Sequence, residues 1–200
     1  MWESLKYRLE EVAPAHVVGL MKRLRLHWLL RHFPHVLIWS AYVFVNGFVS
    51  IALLALLAVA TRTPFVFPSL GPTAYLFFFH PMGDSSSPRN AILGHGIGLI
   101  CGYGALRFVG AEYGGHGLHA GALAAALSLA FTGALMILLR VNHPPAGATT
   151  LIVSLGMLST PYYLLIIEIA VVLLTVQAWV FNRLAGVPYP LWHHGKVPER

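Results

Sequence analysis

Residues 36–60, VLIWSAYVFVNGFVSIALLALLAVA, contain no charged side chain. About 20 apolar residues in a row cross a bilayer as an α-helix, so this stretch alone directs the chain into a membrane. Two more stretches have the same character: 118–139, LHAGALAAALSLAFTGALMILL, and 161–182, PYYLLIIEIAVVLLTVQAWVFN. A fourth, 90–109, is glycine-rich. Its Gly94, Gly98 and Gly102 recur every four residues and form one smooth helical face for close packing, within or between subunits. Only 10% of the 200 residues are charged, against roughly 25% in soluble domains. Too few charges exist to coat a soluble surface, so an all-α polytopic membrane protein is expected.

The charge is also lopsided. Lys6, Arg8, Lys22, Arg23, Arg25 and Arg31 all precede the first long apolar run. A pI near 9.8 invites a nucleic-acid reading. Cytoplasmic flanks of membrane spans are enriched in Lys and Arg, and that reading is preferred. Residues 1–34 are read as a basic amphipathic cytoplasmic segment whose VVGLMKRLRLHWLLRH lies along the inner membrane surface. They show no signal-peptide pattern. The membrane domain then spans 35–185, and 186–200 form a cytoplasmic tail.

Two shorter apolar segments are interrupted, TPFVFPSLGPTAYLFFFHP at 63–81 and NHPPAGATTLIVSLGML at 142–158. They share P-x-x-G-x-T at an offset of 76 residues: Pro68 matches Pro144, Gly71 matches Gly147, and Thr73 matches Thr149. Each follows a long apolar run ending near an arginine, Arg62 or Arg140. The chain thus reads as a duplication of long helix, broken segment, helix. Five extended residues plus about eleven helical ones reach across a core of roughly 30 Å. Six crossings with the N-terminus inside leave only Arg62 and Arg107 outside, which suits the positive-inside rule. Three crossings per repeat make the halves inverted, as in many secondary transporters.

Paired prolines stop a helix from propagating through them, and a new helix can begin just after. Its first N–H groups lack intrahelical partners and lie at the positive dipole end, a combination that binds anions. Glycine lets a ligand approach the backbone, and threonine adds a hydroxyl. The candidate substrate-binding set is Ser69, Gly71, Thr73, His143, Pro144, Pro145, Gly147, Thr149 and Thr150. A bare Pro-Gly hinge is the competing reading.

HPPAGATT, FPSLGPTAYLFF and SSSPRNAILGHGIG resemble the motifs of the HPP family of integral membrane proteins, over about residues 35–185. Plant plastid and cyanobacterial members of that family are described as nitrite transporters, and some bacterial members carry appended CBS domains. The resemblance implies membrane transport of a small anion, with nitrite the candidate, in a bacterial inner membrane.

Other polar residues invite coupling or gating roles. Glu168 sits seven residues into its helix, where acids are costly and usually functional. It is a candidate proton carrier or a structural partner. His95 can couple a proton or bond across helices. Arg89 and Arg140 can attract anions at a pore mouth or mark the cytoplasmic side. His116 with His119, and His193 with His194, are the close histidine pairs. No H-E-x-x-H, cysteine cluster, Ser-His-Asp set or paired carboxylates accompany them, so no metal, cofactor or enzymatic activity is expected. Cys101 reads as an inert packing residue. A homodimer is expected from the glycine face. A channel, or a membrane anchor or sensor module without transport, are the alternatives to a transporter.

Overall fold

The computed structural model describes residues 25–112 and 118–193. Half of residues 17–32, and His116 and His194, lie outside them. The regular structure among the described residues is helical: α1 (Leu26–His32), α2 (His35–Thr61), α3 (Leu70–Phe79), a 3-10 turn at Asp84–Ser86, α4 (Pro88–Glu112), α5 (Leu118–Leu138), α6 (Ala146–Ser154) and α7 (Pro161–Leu184). Helices α2, α4, α5 and α7 are long and apolar enough to cross a membrane. The two interrupted segments contribute the short helices α3 and α6.

The helix boundaries have local causes. Thr160 accepts from the Tyr163 N–H and Pro161 occupies the first turn of α7, a cap and a residue suited to a helix start. Four helices end in the same backbone motif. At the ends of α2, α5, α6 and α7, the N–H groups of Thr63, Val141, Met157 and Val187 return to the carbonyls of Ala58, Met136, Ile152 and Asn182. Such a return requires a left-handed residue, usually glycine. Gly156 and Gly186 fill that role after α6 and α7, but Arg62 (φ 54°) and Arg140 (φ 53°) fill it after α2 and α5. These are the only non-glycine positive-φ residues among the described ones. They occupy matching places, each just ahead of a broken segment.

Contacts between segments set their directions. Tyr42, early in α2, bonds Asn182, late in α7, while Thr63 after α2 meets Tyr162 at the start of α7. The two helices are therefore antiparallel. Asn182 also donates to the Phe77 carbonyl, so α3 finishes at the end of the bundle where α2 begins. That near end also carries the start of α4, the end of α5 and the chain after α7. Arg89 bonds the carbonyls of Leu139 and Arg140, and its N–H meets the Trp192 carbonyl. The Leu26 N–H of α1 meets the Ala185 carbonyl there too.

In a membrane the apolar effect does not drive helices together, because lipid tails are as apolar as leucine, so close packing and internal hydrogen bonds must do so. The glycines of α4 do this against α6. A Cβ on Gly94 would lie 2.8 Å from the Cβ of His143, one on Gly98 would lie 2.8 Å from both the Ala146 carbonyl and Thr150 Oγ1, and one on Gly102 would lie 2.7 Å from the Thr150 carbonyl. Both helices therefore run in the same direction, with backbones almost touching. This face is occupied inside the chain. On the other side, α3 packs on α7 around Phe77, Phe78, Ile167, Ala170, Val171 and Leu174, all buried. Helix α2 is the outermost, with Phe44, Phe48, Leu56 and Val59 exposed as a lipid-facing span permits.

The segment after α7 packs back on the bundle. Tyr189 is fully buried, and its phenol donates to the Ser86 carbonyl. Burial pushes that phenol well above the ordinary tyrosine range. His193 approaches Asp84 at 3.4 Å. Residues 186–193 thus pack onto the near end of the bundle.

Candidate functional site

Helices α3 and α6 begin at residues 70 and 146, the same 76-residue offset as their motifs. Thr73 and Thr149 therefore occupy the same position, the fourth residue of each helix. Both point inward and both meet His95 of α4. Thr73 Oγ1 lies 3.0 Å from His95 Nε2, and Thr149 Oγ1 lies 2.7 Å from His95 Nδ1. Thr73 Oγ1 also lies 3.2 Å from Nε2 of His143, and Thr149 Oγ1 lies 2.7 Å from Ser69 Oγ. His143 completes the chain with its Nδ1 2.7 Å from the Ser85 carbonyl. Ser69, Thr73, His95, His143 and Thr149 are all 0% exposed.

His95 is seven residues beyond the start of α4, about 10 Å into the helix. The smooth wall formed by Gly94 lets His143 sit beside it, with ring centroids 5.0 Å apart. Buried polar atoms without partners are costly. Here each ring nitrogen has one, and the two broken segments supply most of them. The arrangement needs both Pro-Gly interruptions, since a continuous helix at either place would carry its threonine past His95.

The backbone behaves differently from the sequence reading. The N–H groups of Ala146, Gly147 and Ala148 close turns onto the carbonyls of His143, Pro144 and Pro145, and that of Leu70 closes onto Phe67. Pro72 has no N–H to give. The start of α6 therefore holds its own first donors, and the side chains are what converge. Gly71 is exposed, with nothing within 4 Å of its Cβ position, so it faces away from the network. Gly147 sits against Leu129. Thr150 is buried but bonds Thr132 of α5 at 2.9 Å and the Ala146 carbonyl. Pro145 is the residue preceding α6, and Pro144 is exposed.

Arg89 caps the end of α5 through the Leu139 and Arg140 carbonyls and also bonds Asn90. Its guanidinium holds the loop that carries His143. Arg140 is exposed and lines a cavity of about 450 Å³ with Asp84, Met136, Asn142, His143 and Pro144. This cavity opens at the near end, and His143 is among the residues that line it. Glu168 lies half-buried on α7, its Oε2 without a hydrogen-bond partner, and no described bond joins it to the histidines.

The sequence reading missed Thr132, Ser85 and Asn182. Thr132 and Asn182 are polar residues in largely apolar helices, with no motif to mark them. Ser85 takes part through its carbonyl, to which side-chain identity is no guide.

The HPP transmembrane-region model matches residues 32–190. The chain belongs to the HPP family. Its eponymous residues are His143, Pro144 and Pro145, where the proline pair ends one backbone path and the histidine joins the two broken segments. The match runs five residues past 185, through the buried Tyr189. A transmembrane protein of Dictyostelium discoideum is 35% identical over 118 residues, which is 57% of this chain. The chain spans about a third (35%) of that relative's length. No solved structure matches it.

Proposed function

We propose that this HPP protein carries a small anion across a membrane through the junction of α3 and α6, with nitrite the candidate that the family resemblance supplies. The observation that supports it best is the convergence of Thr73 and Thr149, from two like segments, on His95 in a sealed polar site. Hydroxyl and imidazole N–H donors can exchange their internal bonds for bonds to an oxyanion. The positive end of the α6 dipole lies beside His143. The cavity bearing Arg140 offers a positively charged approach from the near end.

The proposed architecture has six crossings in two inverted repeats. The common start offset of α3 and α6, the paired left-handed arginines and the alternating directions of the segments support it. Arg25, Arg31, Arg89, Arg140 and Arg183 cluster at the near end, and Arg62 and Arg107 at the far end, so the near end is assigned to the cytoplasm of a bacterial inner membrane. A homodimer remains in this scheme through an outward face such as that of α2, not through the glycines of α4.

The test is uptake by liposomes containing the purified protein, screened over nitrite, nitrate, bicarbonate, sulfate, phosphate and organic acids. Saturable uptake of one anion is expected. Thr73→Val and Thr149→Val each remove a hydroxyl that the ligand would use. A lost hydrogen bond to a charged ligand is worth about 1.5–3 kcal/mol, so the apparent KM rises roughly ten- to a hundredfold. Parental affinity in both folded variants would place the site elsewhere. Flux that never saturates would identify a channel, and absence of all flux an anchor or sensor.

A further inference from the structure

The cavity at the near end is a groove laid along α5. Gly133, Met136 and Ile137 line it and share one stripe of that helix, at spacings of three and four residues. Arg140 follows a turn later, just past the helix end at Leu138, about 10 Å from Gly133. Gly133 is exposed and has nothing within 4 Å of a Cβ position, so it leaves an open slot in the helix surface. Ile137 is 80% exposed, so the slot faces out of the bundle. Val141 and Pro144 extend the apolar wall towards the mouth.

The polar groups collect at the mouth, where Asp84, Arg140 and Asn142 are all exposed. Arg89 holds the Arg140 carbonyl, but no described bond engages the Arg140 guanidinium or the Asn142 amide. The Asp84 carboxylate faces His193 at 3.4 Å through one oxygen. His143 also lines the cavity, but it is 0% exposed, with Nδ1 on the Ser85 carbonyl and Nε2 on Thr73. The mouth therefore offers one cation, one anion and one amide at the head of an apolar slot. A small hydrophilic anion gains nothing from that slot. A phospholipid has the same polarity as the groove, a charged head on an apolar chain.

We propose that this groove binds one phospholipid with a phosphoethanolamine head. The phosphate takes the Arg140 guanidinium, whose fork matches it, and the Asn142 amide. The ammonium beside the phosphate takes the Asp84 carboxylate, and an acyl chain lies against Gly133, Met136 and Ile137. Depth agrees with this placement. Helix α5 is long and apolar enough to cross a membrane, so its end lies at headgroup level and Gly133 at the level of the upper acyl chain. Basic pockets between membrane helices are suited to phospholipid heads. The paired charges at the mouth select among them. A glycerol head brings no cation for Asp84, and a choline head has no N–H to donate to it. The site stands independently of the transport reading. Where that reading holds, the lipid head and an anion entering by the same cavity compete for Arg140.

Native mass spectrometry of the full chain in mild detergent tests this, with phosphatidylethanolamine, phosphatidylglycerol and phosphatidylcholine of the same acyl chains titrated in turn. The expected result is one phosphatidylethanolamine per chain, bound more tightly than either of the others. Arg140→Gln should weaken it roughly tenfold or more, as the loss of a bond between charged groups does. Asp84→Asn should remove the preference over phosphatidylglycerol. Gly133→Leu fills the slot and should weaken all three lipids alike; leucine is a good helix former and the position is open, so α5 keeps its fold. Ala134→Leu, also exposed but about 100° around the helix, should leave binding unchanged. If Arg140→Gln fails to fold, Asp84→Asn and Gly133→Leu decide the matter. Equal binding of the three lipids by the parent, or a preference for phosphatidylglycerol, overturns the proposal. So does undiminished binding in folded Arg140→Gln or in Gly133→Leu, or an equal loss in Ala134→Leu. A dimer that Gly133→Leu dissociates, with no lipid bound to the parent, assigns the groove to a second copy of the chain and also overturns it.

Discussion

His95 binds each broken segment through a different ring nitrogen, so it is the residue whose replacement disturbs most of the site. His95→Leu leaves the hydroxyls of Thr73 and Thr149 short of a partner in a dry interior. Each unsatisfied buried group costs about 1–3 kcal/mol. The variant should melt earlier than the parent in mild detergent, while His95→Gln, which can restore one donor and one acceptor, should melt closer to it. Equal melting of the two would mean that the network contributes nothing to stability. Glu168 is a contrasting case. Its Oε2 has no hydrogen-bond partner and no described bond links it to His95 or His143. Glu168→Gln keeps the shape and a neutral polar group, so parental stability and uptake are expected; lost uptake in a folded variant would return Glu168 to the coupling pathway.

At the scale of one helix, α4 separates two kinds of glycine. Gly94, Gly98 and Gly102 touch His143, Ala146, Thr150 and Val153, whereas Gly96 and Gly104 have nothing within 4 Å of a Cβ position. Overpacking a tight contact costs roughly 1–3 kcal/mol. A methyl on an open helical glycine instead stabilises by about 0.4–1 kcal/mol, mainly by restricting the unfolded chain. Gly98→Ala and Gly102→Ala should therefore lower the melting temperature, and Gly96→Ala and Gly104→Ala should hold or raise it. Because the tight face packs inside the chain, Gly98→Ala should leave the oligomeric mass in nanodiscs unchanged. A shift of that mass would show that the glycines also serve a subunit contact. The glycine face was legible in the sequence because its four-residue period is a helical property. Its partner was not, since nothing in the spacing says which helix will lie against it.

For the molecule as a whole, orientation is the open question that labelling answers. Met82 and Leu191 are exposed at the near end, and Tyr162 is exposed at the far end. In a Cys101→Ala background, an impermeant thiol reagent applied to intact cells should label a cysteine at 162 and should reach cysteines at 82 and 191 only after permeabilisation. Labelling at 82 in intact cells would invert the topology. The amino-acid sequence by itself determined the membrane class, the four long helices and the places where α3 and α6 break. Those features follow from uncharged length, and from proline and glycine acting on the adjacent backbone. It also marked Thr73 and Thr149 as a matched pair. Only the tertiary structure decided that the pair meets on His95, that the first N–H groups of α6 close onto the carbonyls just before them, that Gly71 faces outward, that Arg89 caps α5 and that Tyr189 anchors the segment after α7. The contacts between segments depend on which surfaces pack together, over separations from 22 residues (Thr73–His95) to 103 (Ser86–Tyr189), and a local pattern carries no record of them.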